Sequence, residues 1–194
     1  MEKLNIGVLS FQGSVEEHIE LLKTIENVNP IEVKTLSALD KIDGLIIPGG
    51  ESTTISKLLN IFGLAKPLQK RIDDGMPVWG TCAGLILLAK EIQGEKPHLN
   101  VMDIAVKRNA YGTQKDSFCV NSKIPEVSNS DIPLVFIRAP WIESAKPNVK
   151  ILSKINGHIV AARQGNMLAT SFHPELTQNN KFHKYFVDIV KQAK

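Results

Sequence analysis

The chain has 194 residues, 43% of them hydrophobic and 22% charged, enough for one soluble globular domain with a sizeable core and no linker dividing it. The net charge of +3 comes from Lys and Arg scattered among Asp and Glu, which argues against a basic nucleic-acid face. No segment approaches the roughly 20 apolar residues of a membrane span, and the first residues lack the apolar core of an export signal. Cys82 and Cys119, the two cysteines, are therefore expected as unpaired thiols in a reducing, cytoplasmic setting.

Leu4–Ser10 is rich in β-formers and stops at Gln12-Gly13, so it reads as a first, buried strand. Ser14 is expected to cap a helix in which Val15, Ile19 and Leu22 recur at helical spacing and Glu16 and Glu17 fill the first turn. Ile31–Leu36 reads as a second strand. Gly44–Ile47 reads as a short buried one ending at Pro48-Gly49-Gly50. Glu51–Phe62 follows as a helix, with Ser52 and Thr53 near its start. Met76–Trp79 is another buried run, and a glycine-flanked cysteine joins it to a helix over Ala83–Glu91. This alternation predicts a parallel sheet with helices on both faces.

From about Val101 the pattern changes. Val101–Lys107, Phe118–Asn121, Leu134–Ile137, Lys150–Ile155, His158–Gln164 and Met167–Ser171 all read as strands. Asn156-Gly157 predicts a two-residue hairpin turn, and Gly165-Asn166 the next. Asn180–Lys191 is expected as an amphipathic helix, with Phe182, Phe186, Ile189 and Val190 on its apolar side.

Gly80-Thr81-Cys82-Ala83-Gly84 is the most informative stretch. A nucleophile between two glycines at a strand-to-helix turn has the elbow geometry of serine and cysteine hydrolases. The sharp turn lifts the side chain above the sheet edge, and the glycines remove crowding and accept unusual dihedrals. The N-terminus of the following helix favours an anion beside it. Cys119 has no such setting and is expected to serve core or sheet packing.

Ser171-Phe172-His173-Pro174-Glu175 follows a strand, and Pro174 stops the ladder and stiffens the turn. Such a turn holds an imidazole with a carboxylate close by. The carboxylate would accept the Nδ1 proton and leave Nε2 facing a nucleophile. The other histidines fit less well: His18 lies among Glu16, Glu17 and Glu20, His98 and His158 lie in loop or turn contexts, and His183 lies on the terminal helix. All four are expected at the surface.

A thiolate attacking a carbonyl makes an oxyanion that needs fixed donors. Ala83 would supply one backbone N–H. Gly50, in Pro48-Gly49-Gly50-Glu51-Ser52, would supply another if its loop lies beside the elbow. A phosphate loop is not indicated, because neither glycine-rich phosphate motif occurs.

Together these pieces resemble the class I, triad-type glutamine amidotransferases. Gly80 through Gly84 is similar to their nucleophile motif, and His173-Pro174-Glu175 to their His-x-Glu. Further stretches resemble the glutaminase subunits of pyridoxal 5′-phosphate synthase over nearly the whole chain. These are Gly7-Val8-Leu9 with Gln12-Gly13, Pro48 through Thr54, Gly80 through Ala89, Arg108-Asn109, Asp116-Ser117-Phe118, Phe136-Ile137-Arg138-Ala139-Pro140 and Ser171 through Thr177. The chain departs from common choices at Ser10-Phe11, Ser14, Ala110-Tyr111 and Trp141, none of them in the triad.

The resemblance implies a single domain over residues 1–194 with a flavodoxin-like α/β fold: a mostly parallel central sheet flanked by helices, with additional antiparallel strands in the C-terminal half. It implies hydrolysis of L-glutamine to L-glutamate and ammonia through a thioester on Cys82, with His173 as acid and base and Glu175 orienting it. Glutamine contacts are implied at Gly50, Glu51, Ser52, Arg108, Ile137 and Arg138. Oxyanion donors are implied at Gly50 and Ala83. Ammonia would pass to a synthase subunit, in a hetero-oligomeric complex, that builds pyridoxal 5′-phosphate from pentose and triose phosphates. This chain itself would hold no pyridoxal phosphate, no other cofactor and no metal. Two other readings of the residues are a cysteine peptidase-like hydrolase on a related α/β fold and a non-catalytic regulatory subunit. The Phe136–Pro140 stretch argues against the first, and the complete Cys82, His173 and Glu175 set against the second.

Overall fold

The structure is a computed structural model that describes residues 3–108, 110 and 117–194. Asn109 and Asp116, which carried part of the resemblance, and Tyr111, one of the departures from it, lie outside the described residues. The elements run β1 (Leu4–Leu9), α1 (Val15–Lys23), β2 (Val28–Val33), α2 (Leu36–Leu39), β3 (Gly44–Ile47), α3 (Ser52–Ile61), α4 (Ala65–Asp73), β4 (Val78–Thr81), α5 (Ala83–Leu88) and β5 (Ala89–Ile92). There follow β6 (Met102–Lys107), β7 (Ser117–Ser122), β8 (Ile132–Ile137), β9 (Trp141–Ala145), β10 (Lys150–Ile155), β11 (His158–Gln164), β12 (Met167–Thr170), a 3₁₀ turn (Pro174–Leu176) and α6 (Lys181–Ala193).

The main sheet has the order β2-β1-β3-β4-β12-β11-β9-β6-β5, with β10 paired to β11. Its first five strands are mutually parallel. β12, β11, β9 and β6 then alternate in direction. β7 and β8 form a separate antiparallel ribbon. The expected mixed α/β architecture is thus the observed one.

β3 and β4 are buried at every position, as strands covered on both faces must be. Their alternate residues sort into two cores. Leu45, Ile47 and Val78 pack with Ile55, Leu59, Leu68 and Ile72 of α3 and α4. Ile46 and Trp79 pack with Leu22 of α1 and Phe182, Phe186 and Val190 of α6.

Several boundaries differ from the sequence reading, each for a physical reason. α5 ends at Leu88, not Glu91, because Ala89 turns extended and β5 pairs with β6. The sequence reading has no helix over Ala65–Asp73, a segment that contains Pro67. This proline sits in the first turn, where its missing N–H would have had no helical partner anyway. α2 and β9 were also unread. β2 begins before Ile31 and contains Pro30, tolerated because β2 is an edge strand bonded, among the described residues, only to β1. Asn156 and Gly157 both have positive φ, 50° and 82°, as the predicted tight hairpin requires. Cys119 is a correction. It is exposed, not core, because the β7–β8 ribbon packs only one face, carrying Phe118 and Val120, against the second core. Among the described residues no helix is long and apolar enough to cross a membrane.

Candidate active site

β4 runs into Cys82, whose φ of 47° and ψ of −101° are strained for a residue with a side chain, at a cost of about 1–3 kcal/mol. Packing imposes this turn. A Cβ on Gly80 would lie 2.4 Å from the Gly84 carbonyl, and one on Gly84 would lie 2.0 Å from the Ile47 oxygen. The Cys82 N–H donates to the Thr170 carbonyl of β12 at 2.8 Å, so two neighbouring strands hold the elbow. Gly84→Ala is expected to lower stability by about 1–3 kcal/mol through overpacking against backbone, a fall in Tm of roughly 2–12 °C. A thermal melt indistinguishable from the unsubstituted protein would contradict this account of the elbow.

Beyond β12, Phe172 is anchored in the core and the His173 N–H donates to the Val135 carbonyl of β8 at 2.8 Å. The 3₁₀ turn then folds Glu175 back, so that its Oε1 lies 2.7 Å from His173 Nδ1. Burial opposes a charge on His173, but hydrogen bonds to Cys82 and Glu175 outweigh it and raise the imidazole to about 10. Burial likewise opposes a charge on Glu175. The neighbouring His18 and His173, with a hydrogen bond from Ser14, nonetheless hold it at about 2. The result is a protonated ring between a sulfur and a carboxylate, the electrostatic setting of a Cys–His–acid centre.

Ser14 corrects an expectation. It makes no side-chain cap to α1; its hydroxyl donates to Glu175 Oε1 at 2.5 Å. Its backbone N–H donates to the Gly49 carbonyl at 3.2 Å. Gly49 must be glycine, because a Cβ there would lie 2.3 Å from His173 Cε1.

A cleft of about 390 Å³ opens above the elbow and is lined by Cys82 and His173, a volume in the range of small-molecule sites. All the predicted contact residues line it: Gly50, Glu51, Ser52, Ala83, Arg108, Ile137 and Arg138. Ser52 is buried, and its hydroxyl has no partner among the described residues, so it is free to bond a ligand. The Glu51 carboxylate, by contrast, is committed to the start of α3. It accepts from the Thr53 and Thr54 N–H groups at 3.2 and 2.7 Å, and bonds from those two residues outweigh the burial effect to bring it down to about 2. Arg108 donates to Glu51 at 3.2 Å and to Glu95 at 2.9 Å. Its guanidinium is therefore fixed at the cleft edge. Arg138 has a φ of 45°, an uncommon left-handed residue that turns the chain at the cleft after β8.

Sequence reasoning missed Gln12, Ile86 and Pro140, which also line the cleft. Gln12 Oε1 accepts the Glu51 N–H at 2.8 Å and so fixes the loop. It also placed two histidines wrongly. His18 and His183 are wholly buried, not solvated. His98 and His158 are half-buried, beside Glu95 and stacked on Trp141 respectively. Among the described residues no cluster of His, Cys, Asp or Glu is arranged to hold a metal.

The profile of the SNO glutamine amidotransferase family matches residues 8–192. The chain belongs to this family. The pyridoxal 5′-phosphate synthase subunit PdxT of Clostridium botulinum is 53% identical to this family member over 186 residues, 95% of this chain and 96% of the relative. The subunit of the same name from Thermoanaerobacter sp. is 55% identical over 187 residues, covering 96% and 99%. A crystal structure of a glutamine amidotransferase superposes with a TM-score of 0.89 at 41% identity, covering 96% of this chain and 98% of that one. A putative GMP synthase subunit from Thermoplasma acidophilum shares the fold, with a TM-score of 0.68 at 18% identity, covering 99% and 96%.

Proposed function

We propose that this chain hydrolyses L-glutamine to L-glutamate and ammonia and delivers the ammonia to a synthase subunit that makes pyridoxal 5′-phosphate, in a cytoplasmic hetero-oligomeric complex. The observation that carries this reading is the line Cys82–His173–Glu175, whose first two members line one cleft and whose third is buried behind them, in a chain whose relatives are synthase subunits over nearly their whole length. The entire chain, 1–194, serves as one glutaminase domain.

In this reading Cys82 Sγ attacks the side-chain amide carbon of glutamine. The oxyanion accepts bonds from the Ala83 and Gly50 N–H groups. His173 passes its proton to the leaving nitrogen, the C–N bond breaks, and ammonia leaves a γ-glutamyl thioester. A water molecule then gives a proton to His173 and attacks the thioester, releasing glutamate and restoring the sulfur. Glu175 keeps the ring oriented with Nδ1–H toward itself. Ser52, with its free hydroxyl, and Arg108 are the polar contacts for the amino-acid end.

The Gly49–Gly50 peptide supports a role for the partner. All described peptide bonds are trans, so a Gly49 carbonyl held by Ser14 turns the Gly50 N–H the opposite way. A peptide between two glycines rotates at little steric cost, and losing one oxyanion donor costs about 100- to 1000-fold in rate. Docking of the synthase is therefore expected to raise glutamine hydrolysis by stabilising one setting of this peptide. The experiment is ammonia release from glutamine by this chain alone, then titrated with purified synthase. An unchanged rate with synthase demonstrably bound would remove the switch. No release under any condition would remove the glutaminase reading itself.

A further inference from the structure

Behind Glu175, away from the cleft, α1 and α6 bring two histidines together. His18 Nδ1 lies 2.9 Å from His183 Nε2. His18 Nε2 lies 3.5 Å from Glu175 Oε2 and 3.4 Å from Thr81 Oγ1. Both rings are wholly buried, and both edge against the Trp79 indole. Burial lowers the pKa of each, so each is neutral and carries one ring proton.

Only one arrangement of those two protons suits the surroundings. With the His18 proton on Nε2, its N–H lies between Thr81 Oγ1, its hydrogen-bond partner at 3.4 Å, and the Glu175 carboxylate at 3.5 Å, and its bare Nδ1 accepts from His183 Nε2–H. His183 Nδ1 is then a bare acceptor, and it has no partner among the described residues. In the reverse arrangement a bare nitrogen would face the carboxylate, and His183 Nδ1–H would be a buried donor with nothing to receive it, the costlier defect. Glu175 needs the first arrangement. Its Oε1 serves both Ser14 and His173, whereas its buried Oε2 makes no standard hydrogen bond among the described residues.

We propose that His18 is a positioning residue for glutamine hydrolysis: its Nε2–H, fixed by the donor His183, steadies Glu175 Oε2 so that Oε1 stays aligned on His173. The inference rests on the glutaminase reading of Cys82, His173 and Glu175. The charged and titratable groups that face this array are Glu17 and His18 from α1, His183 from α6, Glu175 from the 3₁₀ turn and His173 just before it, and Cys82 from the elbow. As the reaction proceeds and the His173 proton moves, the carboxylate must neither rotate nor take up a proton. A donor on its rear oxygen opposes both.

The test uses the full chain with saturating synthase. His18→Leu is expected to lower kcat by about tenfold or more while KM moves about threefold or less, and to shift the acid limb of the pH–kcat profile upward. His18→Gln, which returns an amide N–H near the Nε2 position, is expected to recover most of the loss. A smaller fall with His18→Leu, an unmoved acid limb, or no recovery with Gln would overturn the proposal. Nitrogen-15 NMR of the histidine rings in the unsubstituted protein decides the case even if His18→Leu does not fold. A neutral His18 protonated on Nε2 is expected, and protonation on Nδ1 or a charged ring at neutral pH would overturn it. If the unsubstituted complex releases no ammonia from glutamine, the glutaminase reading fails, and the NMR result still reports the donor chain.

Discussion

Cys82→Ala will reduce glutamine hydrolysis in the presence of saturating synthase by about 10⁴-fold or more, in line with the loss of a covalent nucleophile. The fold will survive, because the elbow is set by Gly80, Gly84 and the bond from the residue-82 N–H to Thr170, none of which involves the sulfur. Cys119→Ala will leave the rate near its original value, since Cys119 is exposed on the β7–β8 ribbon. Ammonia release and labelling by a glutamine-analogue electrophile are the two measurements. Undiminished hydrolysis by purified Cys82→Ala, or labelling that moves to Cys119, would show that the reacting thiol has been misassigned.

Glu175→Gln is expected to lower kcat by about 10²- to 10⁴-fold with a much smaller effect on KM, because the amide preserves shape but removes the charge that orients and stabilises the imidazolium. The carboxylate is one of the groups holding His173 up at about 10, so the His173 titration should fall toward its ordinary range in the variant. The same substitution changes the acid dependence of stability. Glu175 is depressed from 4.5 to about 2 in the folded chain by the neighbouring His18 and His173 and the hydrogen bond from Ser14. A depressed carboxylate contributes fully above its unfolded value, and the contribution is lost as pH falls through the folded value. The unsubstituted protein should therefore lose stability more steeply than Glu175→Gln between about pH 5 and pH 2. Chemical denaturation at several pH values checks the slope. A KM effect that dominates the kcat effect would make Glu175 a substrate-binding group instead.

Much of the site was legible because its chemistry demands residues that are conspicuous in a sequence. Gly80 and Gly84 flank Cys82 because any side chain would strike backbone. His173-Pro174-Glu175 stands out because a proline stops a strand beside two ionisable groups. The parallel half of the sheet could be read from its short apolar runs. The buried histidines were legible in principle. Val15, His18, Ile19 and Leu22 share one helical face, so periodicity places His18 inward; the nearby glutamates, Glu16, Glu17 and Glu20, masked it. His183 likewise lies one turn before Phe186 on the apolar side of α6. What the sequence hid was tertiary. Nothing local says that Ser14 will cross the molecule to Glu175 instead of capping its own helix. Nor does anything local stop α5 at Leu88, since Ala89, Lys90 and Glu91 are all good helix formers and it is pairing with β6 that extends the chain.

The pairing of β12 with β4, Met167 beside Val78 and Thr170 beside Thr81, has a consequence for a chain still emerging from the ribosome. β2, β1, β3 and β4 can assemble from the first half of the sequence, but β4 then presents an open edge. Cys82 at that stage has neither the Thr170 carbonyl that fixes its backbone nor the His173 ring. At about 5–20 residues per second of synthesis, β12 follows β4 by on the order of ten seconds. Throughout that interval the nascent chain carries its thiol without the base that would arm it, so the strand that seals the sheet edge also brings the base.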